Sequence, residues 1–167
     1  MFPWRIGRQL AAGEVAFMAA LTSSYETKRK DGQLVRYPLA AGVHVFKGAL
    51  VSVLTANGLL VPGADVPGAV FVGVAYEEGN NVAGYVPPFG GIPGTGAAGA
   101  VSIRVEKDGL YHYNKTGAVQ ADVGKVAFIL DDNTISTAAT TNSVHCGVVG
   151  ALIDAGTLAV LIDGRTS

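Results

Sequence analysis

From Val43 to Ile162 the chain alternates short runs of Val, Ile and Leu with turn residues at intervals of about ten, and a chain so punctuated has few ways to bury itself. Val101, Ile103 and Val105 alternate with Ser102, Arg104 and Glu106, the period of two of a strand with one face covered. Four hairpins follow from local chemistry. Leu50 to Leu54 turns at Asn57-Gly58, where both residues tolerate the positive φ of a tight turn, and returns through Leu59 to Val61. Val101 to Val105 turns at Lys107-Asp108-Gly109 into Leu110 to Tyr113. Val126 to Leu130 turns at Asp131-Asp132-Asn133, and Val144 to Ile153 turns at Asp154-Ala155-Gly156 into Leu158 to Ile162. Helical periodicity is weak and confined to Leu10 to Leu21. The pattern predicts an all-β fold, a small β-barrel or β-sandwich, and argues against a doubly wound α/β domain.

Charge divides the chain into two parts. Arg5, Arg8, Lys28, Arg29, Lys30 and Arg36 oppose only Glu14, Glu26 and Asp31 before residue 41, although the whole chain has a net charge of −1. Residues 1–40 are therefore expected to form an extended N-terminal arm lying on another surface, and 41–167 the β-rich domain. A start at Met18 would make 1–17 a leader or an upstream extension, and Glu14 sits where a secretion signal needs its apolar core. Pro87 to Gly99 is too rich in Gly and Pro for strand or helix, and is expected to be a surface loop that carries contacts. Gly48 to Leu54, then Asn57, lines up at an offset of 76 with Gly124 to Leu130, then Asn133, and Val72-Gly73-Val74 resembles Cys146-Gly147-Val148. Internal duplication and independent recurrence of the same hairpin chemistry both account for so few identities.

Composition excludes several classes. Charged residues are 15% of the chain and apolar ones 49%, a profile of neither a disordered chain nor a coiled coil. The near-zero net charge gives no reason to expect nucleic acid as a partner. The apolar tail from Val144 is broken by Asp154, so no membrane helix is expected, and one cysteine cannot build a disulfide framework. Gly94, Gly96 and Gly99 spell a dinucleotide fingerprint, yet a Pro-Gly loop precedes them and a strand follows, where the mechanism needs a strand and then a helix. His145 and Cys146 are neighbours on a strand and face opposite ways, so they make no site together. Glu77-Glu78 and Asp131-Asp132 adjoin turn residues, and turn hydrogen bonding accounts for them. Tyr111 and Tyr113 share a strand face that would suit a stacking ligand or cross-strand packing; packing is the simpler account. No nucleophile, base and oxyanion set converges, so neither an enzyme nor a cofactor or metal is expected.

The stretch from Tyr25 to Val51, YETKRKDGQLVRYPLAAGVHVFKGALV, resembles the opening of tailed-bacteriophage capsid cement, or head decoration, proteins. Phe71 to Ala75 (FVGVA), Ala121 to Val126 (ADVGKV), Asp131 to Ser136 (DDNTIS) and Cys146 to Val149 (CGVV) are similar to later blocks of that family in the same order. The resemblance implies a β-tulip-like body, a major capsid protein as partner, and a homotrimer on the outer surface of the virion, made in the host bacterial cytoplasm. It implies a structural role in cementing neighbouring capsomers against the pressure of packaged DNA. Capsid contacts are then expected from the arm, through Tyr25, Lys28, Arg29, Lys30, Arg36 and Tyr37. The alternative is a virion-surface module that binds a host glycan.

Overall fold

A computed structural model describes residues 33–164. The fold is all-β: β1 (Leu34–Pro38), β2 (His44–Val45), β3 (Leu50–Leu54), β4 (Leu60–Pro62), β5 (Ala69–Ala75), β6 (Gly79–Asn80), β7 (Ser102–Glu106), β8 (Gly109–Asn114), β9 (Val126–Ile129), β10 (Ile135–Ser136), β11 (His145–Asp154) and β12 (Thr157–Ile162), with one 3-10 turn at Gln120–Asp122. They form two open five-stranded sheets, β1-β7-β5-β3-β4 and β10-β9-β11-β12-β8, and a small β2-β6 pair. The ladders of both large sheets are open, but single bridges join the outer strands of each, Leu39 to Leu60 where β1 meets β4 and Asn114 to Thr134 where β8 meets the start of β10, so each sheet curls towards a small barrel.

The local hairpins form where turn chemistry is strongest. The Asn57 side chain accepts from the Leu59 amide at 3.0 Å, Gly58 has φ 69°, and Val53 pairs with Leu60 across the turn. Asp131 and Asp154 likewise accept from the amides of Asn133 and Gly156, at 2.9 and 2.8 Å. One expected hairpin is absent. β7 and β8 flank the Lys107-Asp108-Gly109 turn but belong to different sheets: β7 pairs with β1 and β5, and β8 with β12. That turn links two structural units.

Pairing register shows that the two sheets are copies of one unit. Val51 pairs with Gly73 and Ala127 with Gly147; Leu50 pairs with Val74 and Val126 with Val148. Both ladders break at the same place, skipping Val72 in one and Cys146 in the other, so the β-bulge itself recurs. The outer strands follow: Val105 pairs with Ala75 and Val35, as Val160 pairs with Val149 and Tyr111. The first unit thus begins at β1. Leu34–Pro38, assigned to the arm from charge, is a strand of the body, and Leu39 is fully buried.

Each unit buries the equivalent face. Val51, Leu60, Ala75, Ile103 and Val105 fill the first core, and Ala127, Ile135, Val149, Leu158 and Val160 fill the second. We call this the front of each sheet. The back of the first sheet, through Leu50, Phe71 and Val74, packs into the second core. Backbone groups lock that junction, with Leu50 N–H donating to Asp132 O at 2.8 Å and Tyr113 Oη to Gly48 O at 3.1 Å. Asp65 ties the rim by accepting from Thr140 Oγ1 and the Asn142 amide, both at 2.9 Å.

Candidate functional site

The two units differ most in one connection. Ala75 and Val105 pair 30 residues apart, whereas their counterparts Val149 and Val160 pair 11 apart, so the first unit carries 19 extra residues within 76–101. This insertion contains β6 and the Gly/Pro-rich loop expected from sequence. It is anchored by Asn81, which is fully buried. Its amide group donates to Ala40 O at 2.9 Å and Ala97 O at 2.6 Å, and its backbone N–H donates to Val43 O at 2.7 Å. Gly94 closes the loop base, exchanging backbone hydrogen bonds with Tyr85 and Gly84 at 2.9 and 3.1 Å. A Cβ there would lie 2.2 Å from Val82 O, so only glycine permits the crossing. The tip, from Val86 to Ile92, is in water; Phe89 is 98% exposed.

Beneath this loop lies a groove of about 400 Å³, lined by Arg36, Glu77, Glu78, Tyr85, Ile92 and Ser102 among others. Charge in it is organised by Glu77. Its carboxylate accepts from Arg104 N at 2.9 Å, Nε at 3.0 Å and Nη2 at 2.7 Å. Hydrogen bonds from Arg104 outweigh partial burial and hold the Glu77 carboxyl below its usual range. Arg36 stands opposite Arg104 in the β1–β7 ladder, so Glu77 also relieves a like-charge pair. Glu78 pairs with His44 Nε2 at 2.8 Å. The result is a polar floor under an apolar, rigidly based tip.

The sequence-nominated contact residues divide. Tyr25, Lys28, Arg29 and Lys30 lie outside the described residues. Arg36 faces the groove and donates to Ser102 O at 3.2 Å. Tyr37, next along the strand, turns to the front and packs against the first core; Lys107 donates to its hydroxyl at 3.1 Å. The two therefore do not share a surface. Glu77 and Glu78, read from sequence as turn carboxylates, instead bind Arg104 and His44 across the fold, because β7 and β2 bring those groups to them. Sequence reasoning missed Asn81, Arg104 and Phe89. Following the repeat out to β7 and β12 would have exposed the insertion that holds most of them.

The other chemical groups are absorbed into structure. Gly94 to Gly99 leads into β7, with no helix N-terminus to meet a phosphate. Cys146 is buried in the second core, where desolvation pushes its thiol up to about 12. Tyr113 is buried and bonded to Gly48, which removes it from any ligand-stacking face. Asp122, also buried, binds Lys115 Nζ at 2.9 Å and Lys125 Nζ at 3.0 Å and caps the Val119 amide at 3.1 Å. Hydrogen bonds from Lys115 and Lys125 hold its carboxyl well below the usual range. Among the described residues no three His, Cys, Asp or Glu gather as metal ligands, and no helix is long and apolar enough to cross a membrane. No protein-family model matches the chain, and no curated protein matches it.

Proposed function

We infer that the protein is a structural virion component that binds the outer surface of a phage head and cements neighbouring capsomers. The observation that carries this reading is the 76–101 insertion: an apolar tip ending in Phe89, set on a loop clamped by Asn81, above a groove of fixed charge. A loop ordered before binding loses little entropy on docking, so its apolar tip contributes most of its burial energy to affinity. The family resemblance in the ordered blocks from Tyr25 to Val149 supplies the partner, the major capsid protein. As a trimer, each copy would meet its capsid subunit at high effective concentration once the first had bound.

The test mixes the purified full chain with mature undecorated heads, pellets the heads, counts bound copies and challenges the shells with heat. Saturable binding at fixed stoichiometry, with shells surviving a higher temperature, is the expected result. Phe89→Ser removes one exposed ring, and losing about 1.5–3 kcal/mol of burial should weaken binding roughly tenfold to a hundredfold while leaving folding intact. Absence of binding by the parent chain overturns the reading.

A further inference from the structure

The repeat shows what the insertion has taken away from the first unit. In the second unit β11 runs on beside β12 past the pair of Val149 with Val160, through Ala151 with Ala159 and Leu152 with Leu158 to Asp154 with Thr157. In the first, β5 ends at the equivalent pair, Ala75 with Val105, and the chain turns away into the insertion. Since Val105 corresponds to Val160, Ser102, Ile103 and Arg104 stand where Thr157, Leu158 and Ala159 do. On one side β1 pairs with them; on the other, among the described residues, no ladder reaches them. The groove lies along this vacant edge, for Val101, Ser102 and Ile103 all line it.

Side chains stand in for the absent strand. Tyr76 N–H donates to Arg104 O at 3.0 Å, so Arg104 turns its main chain towards the vacancy, and alternation turns Ser102 the same way. Glu77 follows Ala75 by two residues, as Ala151 follows Val149, and its carboxylate takes the Arg104 amide at 2.9 Å where a strand carbonyl would. Arg36 Nη1 donates to Ser102 O at 3.2 Å, where a strand amide would. Glu77 is fixed by its three bonds to Arg104, whereas Arg36 is exposed and can swing out, which leaves the Ser102 main chain to an incoming segment. Charge selects for neither sign, because Arg36 and Arg104 balance Glu77 and Glu78. Gly90 and Gly91, on the loop side, present bare main chain to whatever enters. An uncharged extended chain meets these conditions: it carries its own alternating donors and acceptors, and three of its residues span about 10 Å, the length of the vacant edge. The second unit fills the equivalent place with just such a chain, Leu152 to Asp154.

We propose that the groove is a strand-acceptor site, in which an uncharged extended segment of the partner protein pairs with β7 at Ser102 and completes the first sheet as Leu152 to Asp154 complete the second. The proposal rests on the capsid reading, which makes that partner the major capsid protein. Ser102→Cys provides one reactive thiol, because the chain's own cysteine, Cys146, is buried and its thiol pushed up to about 12. Alkylation with a bulky maleimide then blocks the groove, and circular dichroism checks that the labelled chain stays folded. On mature undecorated heads the unlabelled variant should bind as the parent does and the labelled one at least tenfold more weakly. Hydrogen exchange needs no variant: on heads decorated with the parent chain, exchange within residues 101–104 should slow at least severalfold relative to the free chain, which contact through the Phe89 tip alone would not produce. A labelled chain that binds like the unlabelled one, or exchange at 101–104 that is the same on heads and in solution, overturns the proposal and leaves cementing standing. Heads that bind no parent chain overturn both.

Discussion

Replacing Gly73 with alanine tests the repeated bulge. A Cβ at Gly73 would sit 2.2 Å from Glu106 O and 2.8 Å from Val105 Cγ1, and at Gly147 it would sit 2.3 Å from Leu161 O and 2.9 Å from Val160 Cγ1. An unstrained carbon–oxygen contact needs about 3.3 Å, so the neighbouring strand must retreat by roughly 1 Å. That displacement overpacks the layer, at about 1–3 kcal/mol. It also stretches one or two ladder hydrogen bonds past their range, at about 0.5–1.5 kcal/mol each. Both glycines add backbone strain on substitution, with φ of 143° at Gly73 and, at the edge of the same region, 159° at Gly147. We expect a loss of about 3–5 kcal/mol for Gly73→Ala and slightly less for Gly147→Ala, a large part of an ordinary domain's stability. Equilibrium urea unfolding at unchanged m reads it directly. Gly58→Ala is the control: its φ is 69° but its surroundings are open, so only the backbone cost of about 1 kcal/mol applies. If Gly73→Ala costs no more than Gly58→Ala, close strand approach does not constrain the bulge and the reasoning fails.

Asn81→Ala removes both side-chain bonds, leaving the half-buried Ala40 carbonyl without its donor while Ala97 O keeps the Ala100 amide, so stability should fall by about 1–3 kcal/mol, with faster proteolytic cleavage between Val86 and Ile92; an unchanged cleavage rate would show that the loop is held by other contacts. The depressed Asp122 carboxyl binds its proton more weakly folded than unfolded. Its contribution is therefore complete above the unfolded carboxylate value of about 3.9 and is lost as pH falls from there towards the folded value. Asp122→Asn should lower the urea midpoint at neutral pH and flatten the acid limb of stability against pH, and parallel curves for parent and variant would count against this.

Much of the local structure was legible in residues a few positions apart. Asn57-Gly58, Asp131 to Asn133 and Asp154 to Gly156 specify their turns by side-chain bonds within two residues, and such bonds form whatever the rest of the chain does. The resemblance of Val72-Gly73-Val74 to Cys146-Gly147-Val148 left duplication and recurrence equally open in the sequence, and the structure gives its reason: a bulge pressed against a neighbouring carbonyl admits only glycine. The candidate site was half legible, since Gly and Pro marked the loop but nothing local identified Asn81 as its clamp or joined Arg36 to Glu77 and Arg104 across the sheet.

The amino-acid sequence by itself determined that this protein is built of short strands and where most of its turns fall; it hinted at a repeated unit, which the pairing registers established. Only the tertiary structure decided which strands meet. Lys107-Asp108-Gly109 has the chemistry of a hairpin and instead joins two sheets, because β7 and β8 find partners as distant as Leu34 and Ile162. Leu34–Pro38 looked like part of a charged arm and became a strand because β7 presents it an edge. Leu50 and Val126 hold the same place in the same unit, yet one is buried and the other meets water. Turn preference is set by neighbouring residues, whereas burial depends on what packs against a sheet, and among the described residues the second sheet covers the back of the first while none covers the back of the second.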